Sequence, residues 1–324
     1  MKYINIDKYP NKKPSFYLGI EEYFVKNKKD EYFLLWSCSP SVIIGKHQVI
    51  YNEVHSDYLR NNNINICRRF SGGGAVYADE NNLMFTFILN EPERKDVFNH
   101  YLGKICKVLK ESFNINAYVS GRNDLMVNGK KISGSSFYYY KNRVIFHGTL
   151  LIDVDLEKMT NILNPDRQKL EIKGIDSVRQ RVINLKEIDS EITIKKISDF
   201  LIKEFCEKII KINDRILINI NPYIDNLEST KWLNGKIIAS NIKNKNHYNS
   251  GSYEIMINLV NNIIYDLVIL GDFFTLKPLD DLISKMLNKQ YEKQVIYDIL
   301  ENEIVGNYIL GLTNEEFVNL MFQG

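Results

Sequence analysis

Residues 121–136 read Gly121-Arg122-Asn123-Asp124-Leu125-Met126-Val127-Asn128-Gly129-Lys130-Lys131-Ile132-Ser133-Gly134-Ser135-Ser136. An Asn-Gly pair between two extended runs signals a two-residue hairpin turn, because both central residues must take positive φ. Such a turn pairs Val127 with Lys130 and Met126 with Lys131, and carries on to Asp124 opposite Ser133. Residues facing each other across a ladder project to the same side, so the period of two gathers Asp124, Met126, Lys131 and Ser133 on one face. Lys130 points the other way, to water. The Asp124–Lys131 pair has two readings. It is a solvent-facing ion pair worth about 0–1 kcal/mol, or Lys131 neutralises a reacting carboxylate and phosphate while Asp124 holds a magnesium ion or orients the lysine.

Working outward, residues 123–154 read as a strand meander with a weaker second turn at Lys141-Asn142. The run Asn82–Leu89 is apolar on both faces, which predicts a strand buried in the middle of a sheet. Tyr32–Trp36 and Val42–Gly45 read as strands around a turn at Ser39-Pro40. Helical spacing predicts a helix over 96–113, capped by Asp96 and carrying Phe98, Leu102, Ile105, Leu109 and Phe113. Further helices are expected near 155–163 and over 193–211. The polar stretch 241–252 reads as a linker or surface loop. After it come a hairpin, 253–260 and 263–270 around Asn261-Asn262, and three helical stretches, the last opening on the capping box Thr313-Asn314-Glu315-Glu316.

Three more stretches carry chemistry. Arg68-Arg69-Phe70-Ser71-Gly72-Gly73-Gly74-Ala75-Val76-Tyr77 combines two guanidinium groups with consecutive glycines. It is a flexible loop beside surface arginines, or a concave nest of amide N–H groups on which an anion lies. It is neither a dinucleotide fingerprint nor a phosphate loop. Phe146-His147-Gly148-Thr149 places a histidine on a strand, either packed or facing a ligand, and Gly148 implies a close approach by something. Residues 173–185 alternate basic and apolar types without a period, which suits a surface loop or a loop that covers phosphates.

The 324 residues carry a formal net charge of +2, which leaves no overall field to attract nucleic acid. Cys38, Cys67, Cys106 and Cys206 are scattered, without metal or redox spacing, and point to reduced thiols and a cytoplasmic home. No apolar run approaches the length of a membrane span, and the N-terminus has no signal core.

Taken together, these stretches resemble the lipoate-protein ligase A family. The matching pieces are 68–77, Gly121-Arg122-Asn123-Asp124-Leu125, Lys131-Ile132-Ser133-Gly134-Ser135, Phe146 to Leu151, Leu163-Asn164-Pro165-Asp166 and Lys173 to Val182, in the family's order. The resemblance implies an α+β fold. Its catalytic domain, over 1–243, would resemble biotin ligases and class II aminoacyl-tRNA synthetases with a mixed β-sheet, and a small α+β accessory domain would span 250–324. It also implies roles. Lys131 is the catalytic lysine that contacts the lipoate carboxyl and the α-phosphate. Arg69, Gly74, Ala75, Val76, Tyr77, Asn123 and Asp124 join it in binding ATP, with Asp124 on the metal side. Trp36, Arg69, Ser71, Gly73 and His147 line the lipoate side, and Lys173, Gly174, Ser177, Val178 and Arg179 belong to a loop over the adenylate. Ala78 departs from the histidine of many relatives, which puts that histidine's role in doubt here.

The implied substrates are ATP with Mg²⁺ and lipoate. The implied partners are lipoyl domains of 2-oxoacid dehydrogenase acyltransferase subunits or the glycine-cleavage carrier protein. Two other classes stand beside this one. An octanoyl or lipoyl transferase of related fold would use a cysteine thioester and no ATP, with Cys67 or Cys38 as the thiol. A non-catalytic protein would bind lipoate or nucleotide without releasing pyrophosphate. A biotin ligase is disfavoured because its Arg-Gly-rich signature is absent.

Overall fold

The computed structural model describes residues 1–90, 97–121, 123–164 and 181–323. The chain divides into two compact units. Met1–Ile43, Glu53–Cys67 and Val76–Ser229 make the first, and Ile44–Asn52, Arg68–Ala75 and Thr230–Gly324 make the second.

The first unit contains strands β1 (Lys2–Asn5), β2 (Tyr32–Trp36), β3 (Ser41–Ile44), β4 (Asn65–Arg68), β5 (Val76–Ala78), β6 (Asn82–Asn90), β7 (Tyr118–Ser120), β8 (Asp124–Val127), β9 (Lys130–Tyr140), β10 (Arg143–Leu151) and β11 (Lys208–Lys211), except that the last residues of β3 and β4, Ile44 and Arg68, count with the second. Eight of them form one mixed sheet in the order β11-β1-β2-β6-β10-β9-β8-β7, and β4-β3-β5 form a small one. β1 runs parallel to β11 and β2, and the other neighbours are antiparallel. β6 is buried from Asn82 to Leu89, as its two apolar faces predict, and its Phe85 and Phe87 are wholly enclosed.

The helix Pro14–Asn27 starts on proline at its first turn, where the missing N–H costs nothing, and packs on β6, β10 and the helix Asp214–Glu228. Its far end is held from the sheet. Arg143 on β10 donates from its guanidinium to the carbonyls of Phe24, Val25, Lys28 and Asp30, at the helix end and just past it, where carbonyls run short of helical partners. Of the expected helix over 96–113, Val97–Phe113 is helical, while Asp96 and the Phe98 side chain lie outside the description. Leu156–Ile162 is helical and capped by Asp155.

Two expectations need correction in this unit. The helix expected over 193–211 begins at its Thr193 cap but stops at Phe205. Lys208–Lys211 instead pairs in parallel with β1, which takes up main-chain groups that a longer helix would have bonded internally. The β8–β9 hairpin turns at Asn128 (φ 51°) and Gly129 (φ 77°) and pairs Val127 with Lys130 and Met126 with Lys131, as read. Beyond that the register steps by one, so Leu125 faces Ser133 and Asp124 faces Gly134. The extra residue is a bulge, which lets a strand re-aim its side chains. Ser133 thereby leaves the Asp124 face and is buried.

The second unit is built on a three-stranded sheet, β12 (Ile242–Tyr248), β13 (Gly251–Val260) and β14 (Ile263–Gly271). The stretch 241–252 is therefore not a linker. Ile242 and Tyr248 pack on the core of this unit, Lys243 and Lys245 both reach Glu254, and Asn244 donates to the carbonyls of Leu320 and Met321. A polar edge strand reads like a loop because its stabilising partners lie far away in sequence. The β13–β14 hairpin turns at Asn261 and Asn262, both with positive φ, as expected. The helices Leu279–Met286, Lys293–Asn302 and Asn314–Met321 follow, the last with the expected Thr313–Glu316 capping box.

Candidate active site

The first unit holds Trp36, Val76, Tyr77, Asn123, Asp124, Lys131 and His147, and the second holds Arg69, Ser71, Gly73, Gly74 and Ala75. Lys173, Gly174, Ser177, Val178 and Arg179 lie outside the described residues, as do Pro165 and Asp166.

Lys131 sits just past the hairpin turn, with its Nζ 2.7 Å from Asp124 Oδ1. The two side chains are 30% and 28% exposed, so the pair is ordered yet open to a solute. The glycine facing Asp124 is what makes room for it. A Cβ at Gly134 would stand 2.8 Å from Lys131 Nζ and 3.0 Å from its Cε. Gly148 answers a similar need, since a Cβ there would meet the Phe85 ring at 2.4 Å and the Gly134 carbonyl at 2.9 Å. The expected close approach at Gly148 thus comes from neighbouring strands. Asn123 fastens the start of β8. Its carboxamide donates to the Ser135 carbonyl at 2.7 Å, and the Ser135 amide and hydroxyl donate to the Asn123 carbonyl.

Trp36 and His147 belong to one buried polar chain that the sequence did not reveal. The Trp36 indole N–H donates to Thr86 Oγ1 at 3.3 Å, and that hydroxyl donates to Glu21 Oε1 at 2.6 Å. The other carboxylate oxygen, Oε2, faces His147 Nδ1 at 3.0 Å. A carboxylate can only accept, so Nδ1 carries the proton. Thr86 faces Leu34 on one side and His147 on the other, which is why one hydroxyl can link three elements. Tyr17 stacks on Trp36 with ring centroids 4.7 Å apart.

The structure separates the two arginines of the glycine-rich stretch. Arg68 is almost fully buried. It donates to the carbonyls of Gly45, Lys46, Gln48 and Leu233, and burial pulls its guanidinium down to about 10. It holds the fold together and is not the anion-binding fork expected of a surface arginine. Arg69 folds over its own loop, donating to Ser71 Oγ and to the carbonyls of Gly72 and Gly74. The glycines also answer to the protein. A Cβ at Gly72 would lie 2.1 Å from the Phe273 carbonyl oxygen, Gly73 takes φ +87° against the Phe274 ring, and the Gly73 amide donates to Phe273 at 3.1 Å. The expected row of free amides is thus interrupted at Gly73, whereas Gly74 is exposed with open space around it. Val76 and Tyr77 pair with Ile43 and Val42.

Cys38 and Cys67 are buried, and burial pushes the thiols of Cys38, Cys106 and Cys206 up. Such thiols are poor nucleophiles. Among the described residues no three His, Cys, Asp or Glu side chains are grouped to hold a metal ion. Asp124 has one carboxylate oxygen on Lys131 and lies open enough to offer the other. That suits Mg²⁺, which takes one or two carboxylates and completes its shell with substrate phosphates and water. Among the described residues no helix is long and apolar enough to cross a membrane.

Residues 13–206 match the lipoyl protein ligase A/B catalytic domain, and residues 238–321 match the bacterial lipoate protein ligase C-terminus. Lipoate-protein ligase LplJ of Bacillus subtilis is 32% identical, over 95% of this chain and 97% of that protein. Lipoate–protein ligase 1 of Staphylococcus aureus is also 32% identical, over 95% and 96%. Plasmodium falciparum LipL1, solved in complex with lipoate, superposes with a TM-score of 0.81 at 26% identity, covering 98% of this chain and 97% of that one. The chain belongs to the lipoate-protein ligase family.

Proposed function

We propose that this chain ligates lipoate to protein lysines in two steps, with Lys131 and Asp124 at the centre of the first. A lipoate carboxylate oxygen attacks the α-phosphorus of ATP and pyrophosphate leaves, giving lipoyl-AMP. The amine of an acceptor lysine then attacks the acyl carbon and AMP leaves. Two anions must meet in the first step, so its barrier is set by electrostatics. The Lys131 ammonium, preset by Asp124, lies ready to offset that charge, and Mg²⁺ bound with ATP would add to the neutralisation beside Asp124. In the second step the anhydride is already activated, and positioning does most of the work.

The observation that carries the reading is the 2.7 Å Lys131–Asp124 pair, kept open by Gly134, in a chain of this family. A cysteine thioester route is disfavoured by the burial of Cys38 and Cys67. We assign ATP binding to Arg69, Gly74, Ala75, Val76, Tyr77, Asn123, Asp124 and Lys131. Trp36, Arg69, Ser71, Gly73, Lys131 and His147 are assigned to lipoate, and Lys173, Gly174, Ser177, Val178 and Arg179 to the covering loop.

The acceptor is a lipoyl domain of a 2-oxoacid dehydrogenase acyltransferase subunit or the glycine-cleavage carrier protein, in the cytoplasm. An archaeal bi-partite ligase from Thermoplasma acidophilum, described together with its E2 lipoyl domain, supports the lipoyl-domain class. The test incubates an apo-lipoyl domain with the protein, ATP, Mg²⁺ and lipoate, and weighs the product by mass spectrometry. A lipoyl adduct that needs ATP and survives Cys38→Ser and Cys67→Ser is expected. An ATP-independent adduct lost in either serine variant would overturn the reading.

A further inference from the structure

We propose that the main chain of Val182 and Ile183 is a positioning element for Lys131. The proposal rests on the reading that Lys131 acts in adenylate formation. β9 changes partners along its length. From Tyr140 to Ser135 it pairs with β10, and from Gly134 to Lys130 it pairs with β8 on its other edge. β10 continues beyond that point along β6 alone, to Leu151. Where the strands part, the Gly134 amide donates to a side chain, Thr149 Oγ1, at 3.3 Å.

The edge of β9 that β10 has left is filled at Lys131. Val182 bridges to Lys131 in parallel, and the Ile183 amide donates to the Lys131 carbonyl at 3.0 Å. The Lys131 main chain is therefore held from both edges, by Met126 of β8 and by 182–183. This matters because the register step of the hairpin lies in the same place, between Leu125 and Met126. A bulge with one free edge can shift, and the side chain it aims shifts with it.

The holding segment is itself anchored by the next residue. Asn184 is buried and reads both main-chain groups of Val154, accepting from its N–H at 3.0 Å and donating to its carbonyl at 2.9 Å. The Asn184 amide donates to Glu187 Oε1 in the capping box of the short helix Leu185–Ile188. Val154, the Asn184 carboxamide and the main chain of Ile183 and Lys131 thus form one connected path that fixes where the ammonium starts.

The experiment replaces Ile183 by its α-hydroxy acid, which turns the donated amide into an ester oxygen and leaves the side chain intact. Ile183→Val, which keeps the amide, and Lys131→Ala are made alongside. Pyrophosphate release with lipoate and ATP, transfer from supplied lipoyl-AMP, and thermal melting are measured. The ester should lower kcat for adenylate formation about tenfold, as expected for a small misplacement of a reacting group. KM for lipoate, transfer and melting should stay close to wild type, and Ile183→Val should restore the rate. Combined with Lys131→Ala, the ester should cause no further loss.

Wild-type adenylation by the ester variant would overturn the inference while leaving the role of Lys131 intact. So would a loss that multiplies with that of Lys131→Ala. Wild-type adenylation by Lys131→Ala would instead overturn the underlying reading.

Discussion

Replacing Gly134 with alanine is the most direct way to question the site without touching a charged group. Gly134 is not in the left-handed region, so the backbone accepts alanine, and the lost flexibility of the unfolded chain stabilises the protein by about 0.4–1 kcal/mol. The new Cβ would stand 2.8 Å from Lys131 Nζ, and ordinary contact begins near 3.4 Å, so the ammonium must retreat by 3.4 − 2.8 = 0.6 Å. A misplacement of about 1 Å can cost on the order of 100-fold, or about 2.7 kcal/mol. Scaled to the shorter distance, the penalty is about 1.6 kcal/mol, roughly a 15-fold fall in kcat for adenylate formation. Pyrophosphate release under saturating ATP and lipoate reads the rate, and a thermal melt checks that the fold is unchanged or firmer. A variant that adenylates at the wild-type rate would refute the idea that the missing Cβ sets the ammonium's position.

Lys131→Ala should lower pyrophosphate release by about two to three orders of magnitude, or about 2.7–4 kcal/mol, whereas Lys130→Ala on the opposite face should be nearly silent in the same assay. The reverse ranking would move the catalytic register by one residue. Glu21→Leu leaves the Thr86 hydroxyl and His147 Nδ1 without their shared acceptor in a buried place, so urea denaturation should show a loss of about 1–3 kcal/mol. An unchanged midpoint would remove the polar chain as a stabilising feature. His47 supplies a pH test. Its ring stacks on Phe273, its Nε2 is buried, and burial, with the Lys46 and Arg68 charges, holds the imidazole at about 3, below the ordinary 6.5. Below pH 6.5 the unfolded chain binds a proton that the folded chain refuses. This stabilisation is therefore complete above pH 6.5 and is lost as pH falls toward 3, at about 1.4 kcal/mol per unit. Denaturation across that window should show the wild type losing stability faster than His47→Gln, and parallel curves would contradict the assignment.

What the sequence disclosed follows the range of the forces involved. The turn at Asn128-Gly129 and the first two cross-strand pairs are fixed within a few residues, and they were legible. The bulge one step further on depends on how β9 trades β10 for β8, a choice made by strands at both ends of the meander. Glu21 meets Thr86 and His147 only when the helix Pro14–Asn27 lies over β6 and β10; the acid pair Glu21-Glu22 among apolar helix residues is the one hint the sequence offers. Arg68 and Arg69 look alike as letters, yet only the fold shows Arg68 spent on four carbonyls. The strand over 242–248 reads as a linker or surface loop because its contacts with Leu320 and Met321 are more than seventy residues away.

The assignment of Ile44–Asn52 and Arg68–Ala75 to the same unit as Thr230–Gly324 bears on any attempt to dissect the protein. No single break in the chain yields two fragments that each own all of their parts. A piece ending at Ser229 would carry Gly72 and Gly73 but not the Phe273 main chain against which they are fitted, and would leave the Arg68 guanidinium without the Leu233 carbonyl. A piece beginning at Thr230 would expose the faces of Phe273 and Phe274 shaped to those glycines. Co-expressed halves would have to find each other through a loop woven from both, which makes split versions of this molecule a demanding test of assembly.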